Sequence, residues 1–166
     1  MELGIHSLNG YERNELFRND GDGTFTDVGW IHEADRVEDG RGVAVLDFDR
    51  DGRLDLALRN YRQPAELLQN GGPRRQWVVF DLVGTRSNRD AIGAQIRLRA
   101  GDRWQTRVVS AGSGYLSGSS LRQHFGLGDA ARIDEVQISW PSGLRTRMSD
   151  LPAGQSYRVV EVVEKD

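Results

Sequence analysis

The sequence predicts an all-β protein in which short strands are followed by an antiparallel β-sandwich. Twenty of the 166 residues are glycine and only four are proline, which is typical of many tight turns. Apolar and polar residues alternate in segments such as 95–99 and 136–140, so one face of each predicted strand is apolar. Segments with a helical pattern are nearly absent.

The first part of the chain contains short strands separated by polar turns. Residues 15–19 and 24–28 predict a hairpin around Asp20-Gly-Asp-Gly23, because Asp-Gly pairs supply the positive φ that tight hairpin turns need. A polar connector over residues 31–40 leads to further strands. These are predicted at residues 43–46, 54–59 and 66–69, after which Asn70-Gly-Gly-Pro73 ends this part.

After residue 73 the alternating segments are longer, and two sheets built from them would pack face to face as a β-sandwich. We therefore predict a division into residues 1–73 and residues 74–166. The strands of the second part are predicted at residues 77–83, 95–99, 105–109, 122–126, 136–140 and 157–163.

Composition excludes several classes of protein. The hydrophobic fraction is 37%, and no apolar run approaches the roughly 20 residues that span a bilayer. The 22 basic residues are interleaved with 25 acidic ones, which leaves no basic face for nucleic acid. The absence of cysteine excludes disulfides and thiolate metal sites. Met1–Ile5 does not resemble the start of a secretory signal, so we expect either a cytosolic chain or a form whose export signal has been removed.

The stretch from residue 47 to residue 55 has the pattern of a calcium-binding loop. Ca²⁺ takes six to eight oxygen ligands, and acidic side chains at alternate positions of a loop can supply them. Gly52 lies where such a loop turns sharply, and the main-chain carbonyl of Arg53 would complete the set. The predicted side-chain ligands are Asp47, Asp49, Asp51 and Asp55.

This loop is not an EF-hand, because its twelfth position is Leu58 instead of a bidentate Glu and short apolar strands flank it. The alternative is a solvated acidic turn, but four unneutralised carboxylates within nine residues repel one another. Asp20 and Asp22 suggest a second ion site, although an Asp-Gly turn needs no metal to explain it.

Several motifs resemble known families. Residues 15–28 and 47–56 resemble the FG-GAP/VCBS repeat of β-propeller blades. Four further motifs occur in the order typical of the ASPIC/UnbV domain of the cartilage acidic protein-like family. They are Ser87–Ala94, Gly112–Ser117, His124–Gly128 and Trp140–Gly143.

The resemblance implies a calcium-binding propeller segment ahead of the ASPIC/UnbV domain, in a protein that is commonly exported. A closed propeller needs at least four blades of four strands, whereas this chain has about five propeller strands. We therefore expect a propeller fragment. Its open strand edges would fold back onto the sandwich or pair with another chain, including a second copy in a homo-oligomer.

A candidate ligand site comes from the ASPIC/UnbV motifs. The hydroxyl-rich loop at residues 112–120 suits a polyhydroxylated ligand, and a flexible loop explains it equally well. The alternative explanation for segment 87–90 is a simple turn between strands. The alternative for His124 is a strand histidine whose hydrogen bonds are satisfied within the sheet. Trp140 is expected in the core. The candidate ligand-binding residues are Asn88, Arg89, Asp90, Tyr115 and His124.

The sequence contains no recognisable catalytic constellation, since its three histidines are widely separated and no nucleophile motif is present. It predicts a calcium-binding, non-catalytic interaction module outside the cytoplasm, extracellular or periplasmic, that recognises a protein or a glycan. The alternative, which rests on the family name, is an enzyme or accessory protein in enediyne-type secondary-metabolite biosynthesis. The identity of the partner is left open.

Overall fold

A computed structural model describes residues 12–115 and 117–162. These residues form twelve strands and no helix, which confirms the all-β prediction. The strands are β1 Phe17–Asn19, β2 Phe25–Asp27, β3 Gly40–Leu46, β4 Asp55–Asn60, β5 Glu66–Leu68, β6 Gln76–Val83, β7 Gln95–Ala100, β8 Arg103–Val108, β9 Gln123–Gly128, β10 Arg132–Ser139, β11 Arg145–Pro152 and β12 Gln155–Val160.

The first five strands form two small antiparallel sheets, which we call the blade segment (residues 17–68). Strands β1 and β2 make the predicted hairpin, with Gly21 and Gly23 at φ values of 86° and 94° in its turn. Strands β3, β4 and β5 follow one another as a three-stranded meander. Both of its outer strands, β3 and β5, are sheet edges.

The remaining strands form two further sheets, which together make the sandwich (residues 76–160). One sheet has the order β11-β10-β7-β8 and is antiparallel throughout. The other has the order β12-β6-β9, and its β6–β12 pair is the one parallel pair among the described strands. Strand β11 was not predicted, because it is a sheet-edge strand in which polar residues predominate and Met148 and Leu151 are the only large apolar ones.

The hydrophobic core lies between the two sheets of the sandwich. Strand β7 alternates exposed and buried residues, which places Ile96 and Leu98 inside with no exposed surface. From the opposite sheet, the rings of Phe80 and Phe125 meet edge to face at 6.0 Å. Trp140 is buried as expected, and its indole N–H donates to Thr146 Oγ1 at 2.8 Å.

Strand β5 ends at Leu68 and β6 begins at Gln76, on either side of the predicted boundary. The division at residue 73 itself stays a prediction. In the part of the chain that the structure describes, no helix has the length and hydropathy needed to cross a bilayer.

Candidate metal centre

The acidic loop connects β3 to β4, and its base is closed by the pairing of Leu46 with Asp55. Two residues inside it have positive φ, Arg50 at 63° and Gly52 at 89°, so the backbone turns sharply. These turns direct backbone N–H groups inward: those of Asp51 and Gly52 donate to the two carboxylate oxygens of Asp47, both at 3.0 Å. The Asp47 side chain is therefore held inside the loop.

Three of the four predicted carboxylates converge. Asp47, Asp49 and Asp55 each offer an oxygen, and these oxygens lie within 4.8 Å of one another. Asp55 is only 2% exposed and accepts hydrogen bonds from the backbone N–H groups of Phe48 and Asn70, both at 2.8 Å. Each carboxylate oxygen has two lone pairs, so these bonds orient the cluster and still leave acceptors free for a hard cation.

Asp51 lies beside this group and not within it. Its carboxylate forms an ion pair with the Arg53 guanidinium and accepts the Arg53 backbone N–H at 2.9 Å. That backbone bond is the main reason why the pKa of Asp51 is lowered. Its Oδ2 atom is buried and is the atom paired with the Arg53 guanidinium, so it could contact an ion only if that pair opened. The Arg53 side chain also donates to the Gly72 carbonyl at 2.7 Å.

The same loop is one place where the blade segment contacts the sandwich. A Cβ atom on Gly52 would lie 1.9 Å from Nε1 of the Trp77 indole, so the contact requires glycine. The Gly52 carbonyl accepts a hydrogen bond from His124 Nε2 at 2.9 Å. Sequence reasoning missed Trp77, because nothing in its local pattern indicates a partner 25 residues earlier in the chain.

His124 lies on β9 and stacks on Trp77 with an angle of 14° between the ring planes. Burial lowers the pKa of His124, and the bond to the Gly52 carbonyl opposes this only in part. Because a carbonyl can only accept, Nε2 carries the proton in this bond. His124 is thus a satisfied sheet histidine that joins the two parts of the molecule.

The other candidate ligand-binding residues have different surroundings. Asn88 holds the turn after β6 through two bonds to the Ile92 backbone, both at 2.8 Å, and Arg89 and Asp90 belong to the same turn. Tyr115 is 71% exposed and lines a small cavity beside β3. The cavity lined by His124 lies instead against β6 and the acidic loop. The structure thus does not gather the five residues around one described cavity, and their role in ligand binding stays a prediction.

Asp20 and Asp22 have partners within their own hairpin. Asp20 pairs with Arg18 at 2.9 Å and accepts from Thr26 Oγ1, and Asp22 accepts from both the backbone and the hydroxyl of Thr24. Bonds from the threonine hydroxyls are the main reason why the pKa of each carboxyl group is lowered. The turn is explained without an ion.

A second buried carboxylate, Glu161, was missed by the sequence analysis. It is 1% exposed and accepts the backbone N–H groups of Thr85, Arg86 and Ser87 at 2.7 to 2.8 Å, together with the hydroxyls of Ser87 and Ser142. Burial raises the pKa of Glu161, but these bonds outweigh burial and lower it to about 2. The sequence did contain a signal for it: Glu161 continues the alternation of inward-facing residues that begins with Tyr157 and Val159.

Comparison with known proteins gives two family matches. Residues 84–166 match the family described as ASPIC and UnbV, and residues 5–58 match the FG-GAP-like repeat. The acidic loop falls within the second match, and the Glu161 contacts fall within the first.

Curated relatives support the same assignment. Cartilage acidic protein 1 of Homo sapiens is 32% identical over 131 residues, which is 75% of this chain and 19% of the relative. The Mus musculus protein of that name is 35% identical over 111 residues, 63% of this chain and 17% of the relative. The Xenopus tropicalis protein is 47% identical over 55 residues, 32% of this chain and 8% of the relative. This chain thus spans less than a fifth of each relative, and it belongs to the ASPIC and UnbV family, with an FG-GAP-like repeat ahead of the family's own domain.

Proposed function

We propose that the chain is a calcium-stabilised, non-catalytic interaction module that works outside the cytoplasm and recognises a protein or a glycan. The observation that carries the proposal is the convergence of three carboxylates in the loop between β3 and β4. Asp47, Asp49 and Asp55 would hold the ion. The division into residues 1–73 and 74–166 is part of the proposal, with the ion in the first unit and recognition in the second.

The donor set fits calcium. All three groups are hard oxygen donors, and hydrogen bonds already orient them before any ion is added. The ion would neutralise the repulsion between the carboxylates and fasten the loop whose Gly52 contacts the sandwich. If the folded state alone binds calcium, a free concentration of about 100 times Kd adds about 2.7 kcal/mol of stability.

Asp51 and the Arg53 carbonyl are proposed as further ligands with a weaker contribution. Asp51 would have to exchange its ion pair with Arg53 for the ion, so its substitution should cost less calcium affinity than that of Asp49. The test is calorimetric titration of chelator-treated protein with Ca²⁺ and with Mg²⁺, together with thermal melts. We expect one calcium per chain and a raised Tm, with a weak response to magnesium.

The matched variants are Asp49→Asn and Asp51→Asn. We expect the first to abolish the calcium-dependent rise in Tm and the second to reduce it. Asp22→Asn in the β1–β2 hairpin is the control, because that carboxylate already has local partners. An unchanged calcium response in Asp49→Asn would show that the loop is an acidic turn.

Two points support a location outside the cytoplasm. The curated relatives are named for cartilage, and sites in extracellular modules fill at calcium levels of about 0.1 to 1 mM, which the cytosol does not reach. The non-catalytic part of the proposal is supported by the separate surroundings of the candidate ligand residues.

The open edges of the blade segment are proposed as a contact for another chain. Strands β3 and β5 each have one edge that pairs with no other strand. On β3, the Val45 N–H donates a long hydrogen bond of 3.4 Å to Ser119 Oγ, in the loop between β8 and β9. An edge with free backbone groups is a template for strand addition. Light scattering over a range of protein concentrations tests whether a second copy of the chain pairs with these strand edges.

A further inference from the structure

A cavity of about 780 Å³ opens where the acidic loop meets β6, β9 and the loop after β8. Its volume lies in the range of ligand-binding pockets, about 300 to 1,000 Å³. We call it the junction cleft. Its lining residues include three arginines, three serines and a tryptophan: Arg50, Arg107, Arg122, Ser119, Ser120, Ser156 and Trp77.

The junction cleft carries an excess of positive charge. Within the described ranges, none of its three arginines forms an ion pair with a carboxylate. Asp47 is the one acidic residue of the lining, and both of its oxygens already accept backbone N–H groups inside the loop. The lining therefore combines three guanidinium groups with one carboxylate.

The sandwich holds two of these guanidinium groups in place. Arg122 donates to Ser156 Oγ at 2.9 Å. Arg107 contacts the His124 carbonyl through Nε at 3.4 Å and lies 5.8 Å from the centre of the Phe125 ring. Each guanidinium keeps further N–H donors in the planar arrangement that matches sulfate, phosphate and carboxylate oxygens.

The other lining residues restrict the class of ligand that the junction cleft can bind. Ser119 and Ser120 provide hydroxyls that both donate and accept, as sugar hydroxyls do. The partly buried indole of Trp77 adds an aromatic surface to the cleft, and stacking on His124 fixes its orientation. This combination suits a ligand that carries hydroxyl groups and oxyanions together.

We propose that the junction cleft binds an acidic saccharide, a sugar chain that bears sulfate or carboxylate groups. The inference rests on the proposed function as an interaction module and supplies the ligand class. Because blade segment and sandwich both contribute to the cleft, the ligand would contact both parts of the molecule at once.

The test is calorimetric titration of the full chain, in saturating calcium, with a heparin-derived hexasaccharide. We expect the double variant Arg107→Gln with Arg122→Gln to bind about 100-fold more weakly, because each guanidinium removed should weaken binding about tenfold. The control is Arg145→Gln with Arg147→Gln, which removes the same charge from exposed positions on β11. The control should stay within about twofold of the wild type. Equal losses in both variants would overturn the proposal.

Two further probes fix the ligand class. A hyaluronan hexasaccharide, which carries carboxylates and no sulfate, should also lose affinity in the cleft variant, and equal affinity for the cleft variant and the wild type would overturn the proposal. A hexaglutamate peptide should bind more weakly than either sugar, and tighter peptide binding would overturn the saccharide assignment.

The single variant Arg50→Gln, also titrated in saturating calcium, tests the third arginine, whose side chain is exposed. We expect about a tenfold loss, and wild-type affinity in this variant and the double variant would overturn the proposal. The calcium titration is evaluated separately: calcium binding without saccharide binding rejects only the cleft, and the reverse result rejects only the metal site.

Discussion

The sandwich encloses a continuous apolar core, whereas the blade segment buries very few apolar side chains. All residues of the core cluster lie between Val78 and Val159. In the described residues before the sandwich, the buried apolar side chains are Val28 and Ala34, and the buried polar ones are Asp55 and Asn60. Apolar burial is the main source of folding energy, so the sandwich is stabilised by its own interior. The blade segment relies more on hydrogen bonds, and the proposed cation would add to its stability.

Replacing a phenylalanine by alanine in each region should give the largest difference in the free energy of unfolding. Phe80→Ala removes a ring with no exposed surface and should lower the free energy of unfolding by about 3–5 kcal/mol. Phe25→Ala removes a ring that is 61% exposed and should change it by less than about 1 kcal/mol. Urea denaturation measures both, and equal losses would contradict the contrast between the regions.

The Glu161 contacts show how the sandwich uses a buried charge. Glu161→Gln keeps the shape but removes charged acceptors, and should cost about 1–3 kcal/mol in the free energy of unfolding at neutral pH. Because the folded pKa of about 2 lies below the ordinary 4.5, the carboxylate stabilises the fold fully above pH 4.5. That contribution is lost as the pH falls from about 4.5 toward 2.

Denaturation of both proteins over that pH range measures the effect. The wild type should lose stability relative to Glu161→Gln, so the difference between them should shrink. A constant difference would show that Glu161 has no lowered pKa.

The contact between the regions can be tested at Gly52. Gly52→Ala places a methyl group into the Trp77 indole and also forces alanine to a φ of 89°. Gly143→Ala has the same φ of 89° with no neighbour within 4 Å, so it measures the backbone strain alone, roughly 1–2 kcal/mol. We expect Gly52→Ala to cost more and to weaken calcium binding. Equal effects in thermal melts would mean that the Trp77 contact contributes nothing.

The smallest effect is expected at Asn88. Its side chain makes two exposed bonds to the Ile92 backbone, so Asn88→Ala should lower the free energy of unfolding by about 1 kcal/mol. Binding of the sulfated hexasaccharide should be unchanged, since Asn88 is not among the lining residues of the junction cleft. A loss of binding with unchanged stability would favour the ligand-site hypothesis for this turn.

Local patterns predicted most of the strands but few of the contacts between them. Alternation located β7 and β10, and the Asp-Gly turn located the first hairpin, because these signals lie within a few neighbouring residues. Strand β11 was missed, since its few apolar residues give it a weak pattern. The acidic loop was recognised from its spacing, but the pairing of Asp51 with Arg53 depends on side-chain positions. The contact of Gly52 with Trp77 depends on the tertiary fold.

The parallel pairing of β6 with β12 has a mechanical consequence. The chain enters the sandwich at the start of β6 and leaves it at the end of β12, so tension along the chain pulls these neighbouring strands in opposite directions. Their backbone hydrogen bonds would then be loaded together in shear instead of being opened one at a time. We expect single-molecule pulling through the two ends of the sandwich to require a larger force than pulling through the β10–β11 turn and Gln155.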